Sequence, residues 1–167
     1  MDQYPYQIVT FLEKEPSPGE PIYYGDHRWY PQIALKRRFK LTGLSEDDLR
    51  QELTVYFSKI KPVEVRTGTL IKTERMPVSV IEVCQPEDLV KFHIGLVAML
   101  GDKIISRYPQ RDGEKYYPHI TAEYNGEMVI RVDAFTNRLF TLNAAWLVKD
   151  GEDENALAIA KFKLGQS

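Results

Sequence analysis

The chain has 167 residues, of which 43% are hydrophobic and 28% charged, and this composition predicts a single globular domain spanning residues 1–167. Its net charge of -2 provides no overall positive field, so contact with a nucleic acid would need a local basic patch. The single cysteine excludes an intramolecular disulfide, and no window approaches the run of about 18 apolar residues that a membrane span needs. The first residues lack the pattern of a secretion signal, and we therefore expect a cytoplasmic protein.

The first third of the chain predicts two strands and a helix. Residues 7–12 form a short apolar run that predicts a strand, and residues 16–29 form a loop rich in tyrosine and proline. Residues 32–35 predict the next strand. Ser45 then precedes three acidic residues in a helix-capping pattern, and apolar residues recur at helical spacing until Pro62.

The middle of the chain repeats this order of strands and helix. Strands are predicted at residues 63–66, 70–71 and 78–84. A second helix is predicted to begin at Pro86 and to end at Gly101, because apolar residues between them share one helical face.

The last third predicts mainly strands. Residues 118–124 predict a strand, whereas residues 128–139 fit either a helix or a strand. Residues 142–148 and 156–164 flank a turn-rich segment as a hairpin. Strands and helices interleave along the whole chain, which favours a mixed α and β fold over a helical bundle.

An internal repeat is the most informative feature of the sequence. Residues 29–34, WYPQIA, match residues 116–121, YYPHIT, in order and character. Each copy opens a predicted strand, and side chains on a strand alternate between its two faces. His119 and Thr121 therefore share one face in the second copy. If the halves are related by a pseudo-twofold axis, the corresponding faces of both copies should meet across one cleft.

The two copies resemble the motif of proline, histidine, a hydrophobic residue and threonine that the two-histidine (2H) phosphoesterase superfamily has once in each half. This superfamily includes 2'-5' RNA ligases and RNA 2',3'-cyclic phosphodiesterases, and the resemblance covers nearly the whole chain. It implies an α+β fold of two antiparallel-sheet lobes related by a pseudo-twofold axis, with helices on the outside and a central cleft. It also implies a protein that acts on or binds RNA ends or nucleotides with 2',3'-cyclic or 2'-5' phosphates, without a metal or a cofactor. We expect it to be a monomer.

The chemistry of that family explains why the motif is paired. Opening a cyclic phosphate requires one proton to be removed from the attacking oxygen and another to be delivered to the leaving oxygen, and two imidazoles can divide these tasks. The resemblance assigns one such role to His119 and phosphate binding to the hydroxyl of Thr121.

The first motif departs from the family pattern, because Gln32 replaces the histidine and Ala34 replaces the threonine. Glutamine can donate a hydrogen bond to a phosphate oxygen but cannot exchange a proton near neutral pH. Losing a general acid or base costs roughly 10²- to 10⁴-fold in rate. We therefore predict weakened phosphoesterase activity, or alternatively a non-catalytic nucleotide- or RNA-binding module on the same fold. A third alternative is that the protein acts through another surface.

Further candidates for ligand binding flank the two motifs. Arg37 and Arg38 belong to a basic run that follows the first motif, and Arg107 and Tyr117 precede the second. An arginine with an aromatic ring can hold a phosphate and stack an unpaired base, although a solvated strand end and a structural loop explain the same residues.

The two remaining histidines have different interpretations. His27 lies in the loop before the first motif and could fold over the cleft to replace the missing imidazole, or it could be a surface residue without a role. His93 lies among apolar residues at helical spacing, which favours a histidine at the edge of the core over a catalytic one. Three histidines scattered along the chain predict no metal site.

Overall fold

The computed structural model of the protein describes residues 3–24, 28–72, 78–124, 126–152 and 155–165. Its helices are α1 (Glu46–Ser58) and α2 (Glu87–Leu100). Its strands within these ranges are β1 (Tyr6–Phe11), β2 (Glu20–Pro21), β3 (Tyr23–Tyr24), β4 (Arg28–Trp29), β5 (Gln32–Leu41), β6 (Val63–Lys72), β7 (Ser79–Cys84), β8 (Ile104–Ser106), β9 (His119–Thr121), β10 (Glu123–Tyr124), β11 (Glu127–Met128), β12 (Leu139–Leu142), β13 (Ala144–Asp150) and β14 (Ala156–Lys163).

Ten of these strands form one mostly linear sheet in the order β12-β6-β7-β9-β5-β1-β13-β14-β2, with β8 pairing beside this path to β5. The pairings between the described strands are antiparallel. Two small hairpins, β3 with β4 and β10 with β11, lie outside the sheet. The chain therefore combines a large antiparallel sheet with two helices, as an α+β fold does.

Both predicted helices are confirmed, and their ends have local causes. The hydroxyl of Ser45 accepts a hydrogen bond from the backbone N–H of Asp48 at 3.1 Å, which caps the start of α1. At the end of α2, Gly101 has a φ of 53°, a conformation that glycine adopts at little cost. Within the described ranges no helix is long and apolar enough to cross a membrane.

The strands differ from the predictions at several places. Residues 16–29 were predicted as a loop but contain the two-residue strands β2, β3 and β4, and the strand predicted at residues 32–35 extends to Leu41 as β5. Residues 63–66 and 70–71 were predicted as two strands, but they belong to the single strand β6, because the register shifts between Thr67 and Leu70 and the strand continues through Gly68.

Farther along, residues 118–124 form two short strands, because the backbone of Ala122 leaves β9 to bond Ser79 and Val129. Residues 128–139 are largely neither helix nor strand and contain a 3-10 turn at Val132–Ala134.

The two halves of the sheet meet at one paired position, Ile33 opposite Ile120 on β5 and β9. One group of strands extends from β5 to β2, and the other extends from β9 to β12. The resemblance implies two antiparallel-sheet lobes, whereas the backbone pairing of Ile33 with Ile120 links the two groups of strands into one sheet. This link brings the two copies of the internal repeat side by side.

The two faces of the sheet bury different clusters. Ile8 on β1 and Leu147 on β13 belong to the larger cluster, which also contains the buried residues of both helices and the paired isoleucines. Val9 and Trp146, their neighbours in sequence, point to the opposite face and belong to a smaller cluster. Both helices therefore cover one face, and the opposite face is left for the cavity described below.

Replacing Phe57 tests the packing between the helices and the sheet. Its ring is fully buried and lies 5.8 Å from Phe92 of α2 and 5.7 Å from Phe162 of β14. We expect Phe57→Ala to lower the free energy of unfolding by about 3–5 kcal/mol in urea denaturation. The control Val55→Ala, at a position 55% exposed on the same helix, should change it by about 0.5 kcal/mol or less. Equal effects of the two changes would contradict this packing.

Candidate functional site

A cavity of about 780 Å³ opens over the junction of β5 and β9. The paired isoleucines point to the helix-covered face, so their neighbours on each strand point to the cavity. Antiparallel pairing places Gln32 opposite Thr121 and Ala34 opposite His119. All four residues line the cavity, so the equivalent faces of the two repeat copies meet there, as predicted.

The rest of the wall combines rings, charges and small apolar residues. Five aromatic side chains line it, together with two arginines and one carboxylate. These residues are Tyr23, Trp29, Tyr30, Tyr108, Tyr124, Arg37, Arg38 and Glu127.

Hydrogen bonding fixes the proton on the ring of His119. Its Nδ1 lies 2.8 Å from the carbonyl oxygen of Tyr117, and a carbonyl oxygen can only accept, so Nδ1 donates. In the neutral ring, Nε2 then carries the lone pair. The ring of Tyr117 stacks on the imidazole with centroids 5.5 Å apart. The carbonyl and the ring of Tyr117 therefore both contact His119, and the predicted contact of Tyr117 with a ligand stays a prediction.

His119 is neutral at physiological pH. Burial is the main cause that lowers its pKa to about 4; the hydrogen bond to the Tyr117 carbonyl opposes this shift, and the positive charges of Arg37 and Arg111 add to it. A neutral imidazole can accept a proton but has none to deliver from Nε2. The site therefore favours the role of a general base for His119 over that of a general acid.

Two irregularities in β5 bring consecutive arginines to the cavity. The register between β5 and β1 shifts between Ile8 and Val9 and again between Tyr6 and Ile8. At each of these two places β5 has one residue more than β1. Regular alternation would send Arg37 and Arg38 to opposite faces, yet both line the cavity.

These two arginines differ in their partners. Arg38 donates to Asp150 at 2.6 Å, so most of its charge is already compensated. No ion pair or hydrogen bond of Arg37 is found in the part of the chain that the structure describes. Burial lowers the pKa of Arg37, and the nearby charge of Arg111 lowers it further. Arg37 is therefore the cavity cation available to an anionic ligand.

The segment before the second motif contributes different residues from those predicted. Arg107 is not part of the cavity wall that the structure describes, and its guanidinium carbon lies 5.1 Å from the centre of the Tyr108 ring. Tyr108 lines the cavity, and Arg111 lies over the same ring at 5.5 Å. The sequence offered no period that could distinguish these residues, because residues 107–118 contain two short 3-10 turns and neither an α-helix nor a strand.

The basic run after the first motif is divided between the two faces of the sheet. Lys36 is 1% exposed and forms an ion pair with Asp112 at 3.1 Å, so its charge is directed away from the cavity. Only the arginines of this run contribute to the cavity wall.

The two histidines outside the motifs have different outcomes. His93 is buried, its Nδ1 donates to the carbonyl of Leu35 at 2.7 Å, and its Nε2 accepts from the N–H of Gly113 at 2.9 Å. Its interpretation as a core histidine is confirmed. His27 lies outside the described residues. Among the described residues, no group of three histidine, cysteine or acidic side chains is arranged to hold a metal ion.

Comparison with known proteins places this geometry in a known fold. No protein-family model and no curated protein sequence matches the chain. Among solved structures, a phosphoesterase superposes with a TM-score of 0.61 and 12% identity over 99% of this chain and 100% of the other. TT0787 of Thermus thermophilus gives 0.60 and 17% over 98% and 100%. LigT of E. coli in complex with NADP+ gives 0.58 and 12% over 98% and 99%.

The chain has the 2H phosphoesterase fold. At these identities the likeness defines the fold, and the roles of individual residues depend on the cavity itself. E. coli LigT has also been solved in complex with ATP, with 3'-AMP and with phosphate.

Titration of His119 tests the electrostatics of this cavity. We expect ring NMR signals, assigned with the variant His119→Gln, to give a pKa of about 4 for His119, against about 6.5 in an unfolded chain. The unfolded chain therefore takes up this proton at higher pH than the native protein does. Stability should fall as the pH drops from about 6.5 to about 4, and His119→Gln should remove this part of the fall. A midpoint near 6.5 in the folded protein would contradict the burial and charges described.

Proposed function

We propose that this chain is a 2H phosphoesterase-like protein that binds RNA ends or nucleotides carrying 2',3'-cyclic or 2'-5' phosphates and turns them over slowly. The observation that carries the proposal is the meeting of both motif faces on one cavity, where neutral His119 lies opposite Ala34. The complexes of E. coli LigT with nucleotides and phosphate support a ligand of this class. We further propose a cytoplasmic monomer with one domain over residues 1–167.

Four residues of the cavity have separate roles in acting on a phosphate group. Nε2 of His119 accepts the proton of the attacking hydroxyl or water. The hydroxyl of Thr121 and the amide of Gln32 donate hydrogen bonds to phosphate oxygens. Arg37 stabilises the negative charge that grows on the phosphate in the transition state. This division leaves no second imidazole among the described residues of the cavity to protonate the leaving oxygen, which takes its proton from water in the slow reaction.

The amide of Gln32 supports a polar ligand at this position. Its Oε1 is buried and has no hydrogen-bond partner among the described residues. A buried acceptor without a donor costs about 1–3 kcal/mol, and a ligand hydroxyl would satisfy it. The same amide retains N–H groups for a phosphate oxygen.

Rebuilding the first motif tests the catalytic proposal. We expect Gln32→His with Ala34→Thr to accelerate the opening of nucleoside 2',3'-cyclic monophosphates by roughly 10²- to 10⁴-fold, because a second imidazole supplies the missing proton donor. Initial rates would be measured beside the wild type. Adding His119→Ala to the rebuilt chain should abolish the gain. A folded double variant that is no faster than the wild type would count against a phosphoesterase cavity.

His27, in the loop before the first motif, needs its own control in the assay with nucleoside 2',3'-cyclic monophosphates. If the wild type turns over substrate and both His27→Ala and His119→Ala abolish the reaction, then His27 supplies the second imidazole. Turnover that survives His27→Ala assigns the residual rate to His119 and the arginines alone.

A non-catalytic binding module is the second candidate function. Two observations favour it: Ala34 offers no polar group to a ligand, and the low pKa of His119 leaves no acid at that position of the cavity. Under this function the wild type binds nucleotides and RNA ends without turnover.

Binding measurements distinguish the second function from the first. We expect calorimetry with 3'-AMP to show His119→Ala within about threefold of the wild-type affinity, because a neutral imidazole contributes one ordinary hydrogen bond. Arg37→Met should weaken binding by roughly tenfold or more, because it removes a charge-assisted contact. Binding without turnover would support the module. Failure to bind any phosphate ligand would instead indicate that the protein acts through another surface.

A further inference from the structure

A buried ion pair lies behind the wall of the cavity. Lys36 Nζ lies 3.1 Å from both carboxylate oxygens of Asp112 and 2.8 Å from Oγ of Ser106. Ser106 in turn donates to Asp112 at 2.7 Å. Lys36 is 1% exposed, so the three groups satisfy one another away from solvent. Removing one partner of such a pair strongly destabilises the folded protein.

A second contact fixes the same stretch of chain. His93 of α2 donates from Nδ1 to the carbonyl of Leu35 and accepts at Nε2 from the N–H of Gly113. Leu35 and Lys36 are neighbours on β5, and Asp112 and Gly113 are neighbours in the segment before β9. Two adjacent residues of that segment are therefore tied to two adjacent residues of β5.

The ion pair has an arginine next to each of its members. Arg37 follows Lys36 and lines the cavity. Arg111 precedes Asp112, and its guanidinium lies over the ring of Tyr108, which also lines the cavity. Burial lowers the pKa of Arg37, and the charge of Arg111 lowers it further, so the two cations are close enough to disfavour each other.

Holding two like charges together costs free energy unless an anion binds between them. A guanidinium offers donors in a fork that matches the oxygens of a phosphate. Both guanidiniums lower the pKa of His119, so both act on the part of the cavity that holds this residue.

We propose that Lys36 and Asp112 are positioning residues that hold Arg37 and Arg111 side by side as a two-guanidinium site for a phosphate group. This inference rests on the proposed function and deepens it, because it adds Arg111 to the ligand-binding residues. It also explains why a lysine of the basic run is buried: its charge fixes the segment that carries Arg111.

The first experiment tests Arg111 directly. Affinities for inorganic phosphate and for 3'-AMP would be measured by NMR titration in the wild type, Arg111→Met and Arg111→Lys. We expect Arg111→Met to weaken both by roughly tenfold to a hundredfold, and Arg111→Lys to recover part of the loss. Lys103→Met is the control, because it removes one positive charge away from the cavity. Lys103 forms an ion pair with Glu52 at 2.9 Å, and neither residue lines the cavity.

The second experiment separates positioning from stability. Lys36→Met alone leaves the carboxylate of Asp112 without its cation and should destabilise the fold, whereas Lys36→Met with Asp112→Leu replaces the pair by apolar groups and should restore stability. We expect the double variant to melt near the wild-type temperature but to bind phosphate at least about fivefold more weakly, because the segment that carries Arg111 loses its ion pair with β5 and keeps only the contact through His93. If the double variant does not fold, the Arg111 variants, which leave the ion pair intact, still test the two-guanidinium site.

The pKa of His119 gives an independent readout. Arg111→Met should raise this pKa above its wild-type value, because a nearby positive charge is removed. The double variant should raise it as well, which a role in stability alone would not do. Wild-type affinity and wild-type pKa in both variants would overturn this inference and leave the proposed function standing. A wild type that binds no phosphate would overturn the proposed function and the two-guanidinium site together.

Discussion

The backbone pairing of Ile33 with Ile120 is the contact on which the site depends. These two buried residues join the two groups of strands, and their packing under the helices decides which neighbours point the other way. Because the pairing is antiparallel, both copies of the repeat present alternate residues to the same cavity. One apolar pair on one face thus determines the polar arrangement on the other.

Much of this arrangement could be predicted from sequence because it follows short periods. The repeat placed His119 and Thr121 on one face, and both helices were found from capping and apolar spacing. The link between the two sheet groups could not be predicted in this way, because a single pairing between residues distant in sequence leaves no local pattern. The extra residues in β5 likewise leave no pattern, and they decide that both Arg37 and Arg38 line the cavity.

Aromatic and charged residues in irregular segments were the hardest to assign. The choice of Arg107 and Tyr117 followed from closeness in sequence to the second motif, whereas the wall contains Tyr108 and the carbonyl of Tyr117 orients His119. In such an irregular segment the direction of a side chain depends on contacts with residues distant in sequence, as that of Asp112 depends on Lys36. Sequence reasoning sees the types of residue in such a segment but not the direction in which each one points.

The ends of the sheet have a consequence for how the protein behaves at high concentration. At one edge, β2 is two residues long and contains Pro21, which has no N–H to donate; at the other edge, β12 is four residues long. A neighbouring molecule would find little backbone to pair with on these two outer strands themselves. Each covers part of a longer strand, β14 or β6, so any pairing edge to edge would begin on the residues of those strands that the outer strands leave uncovered.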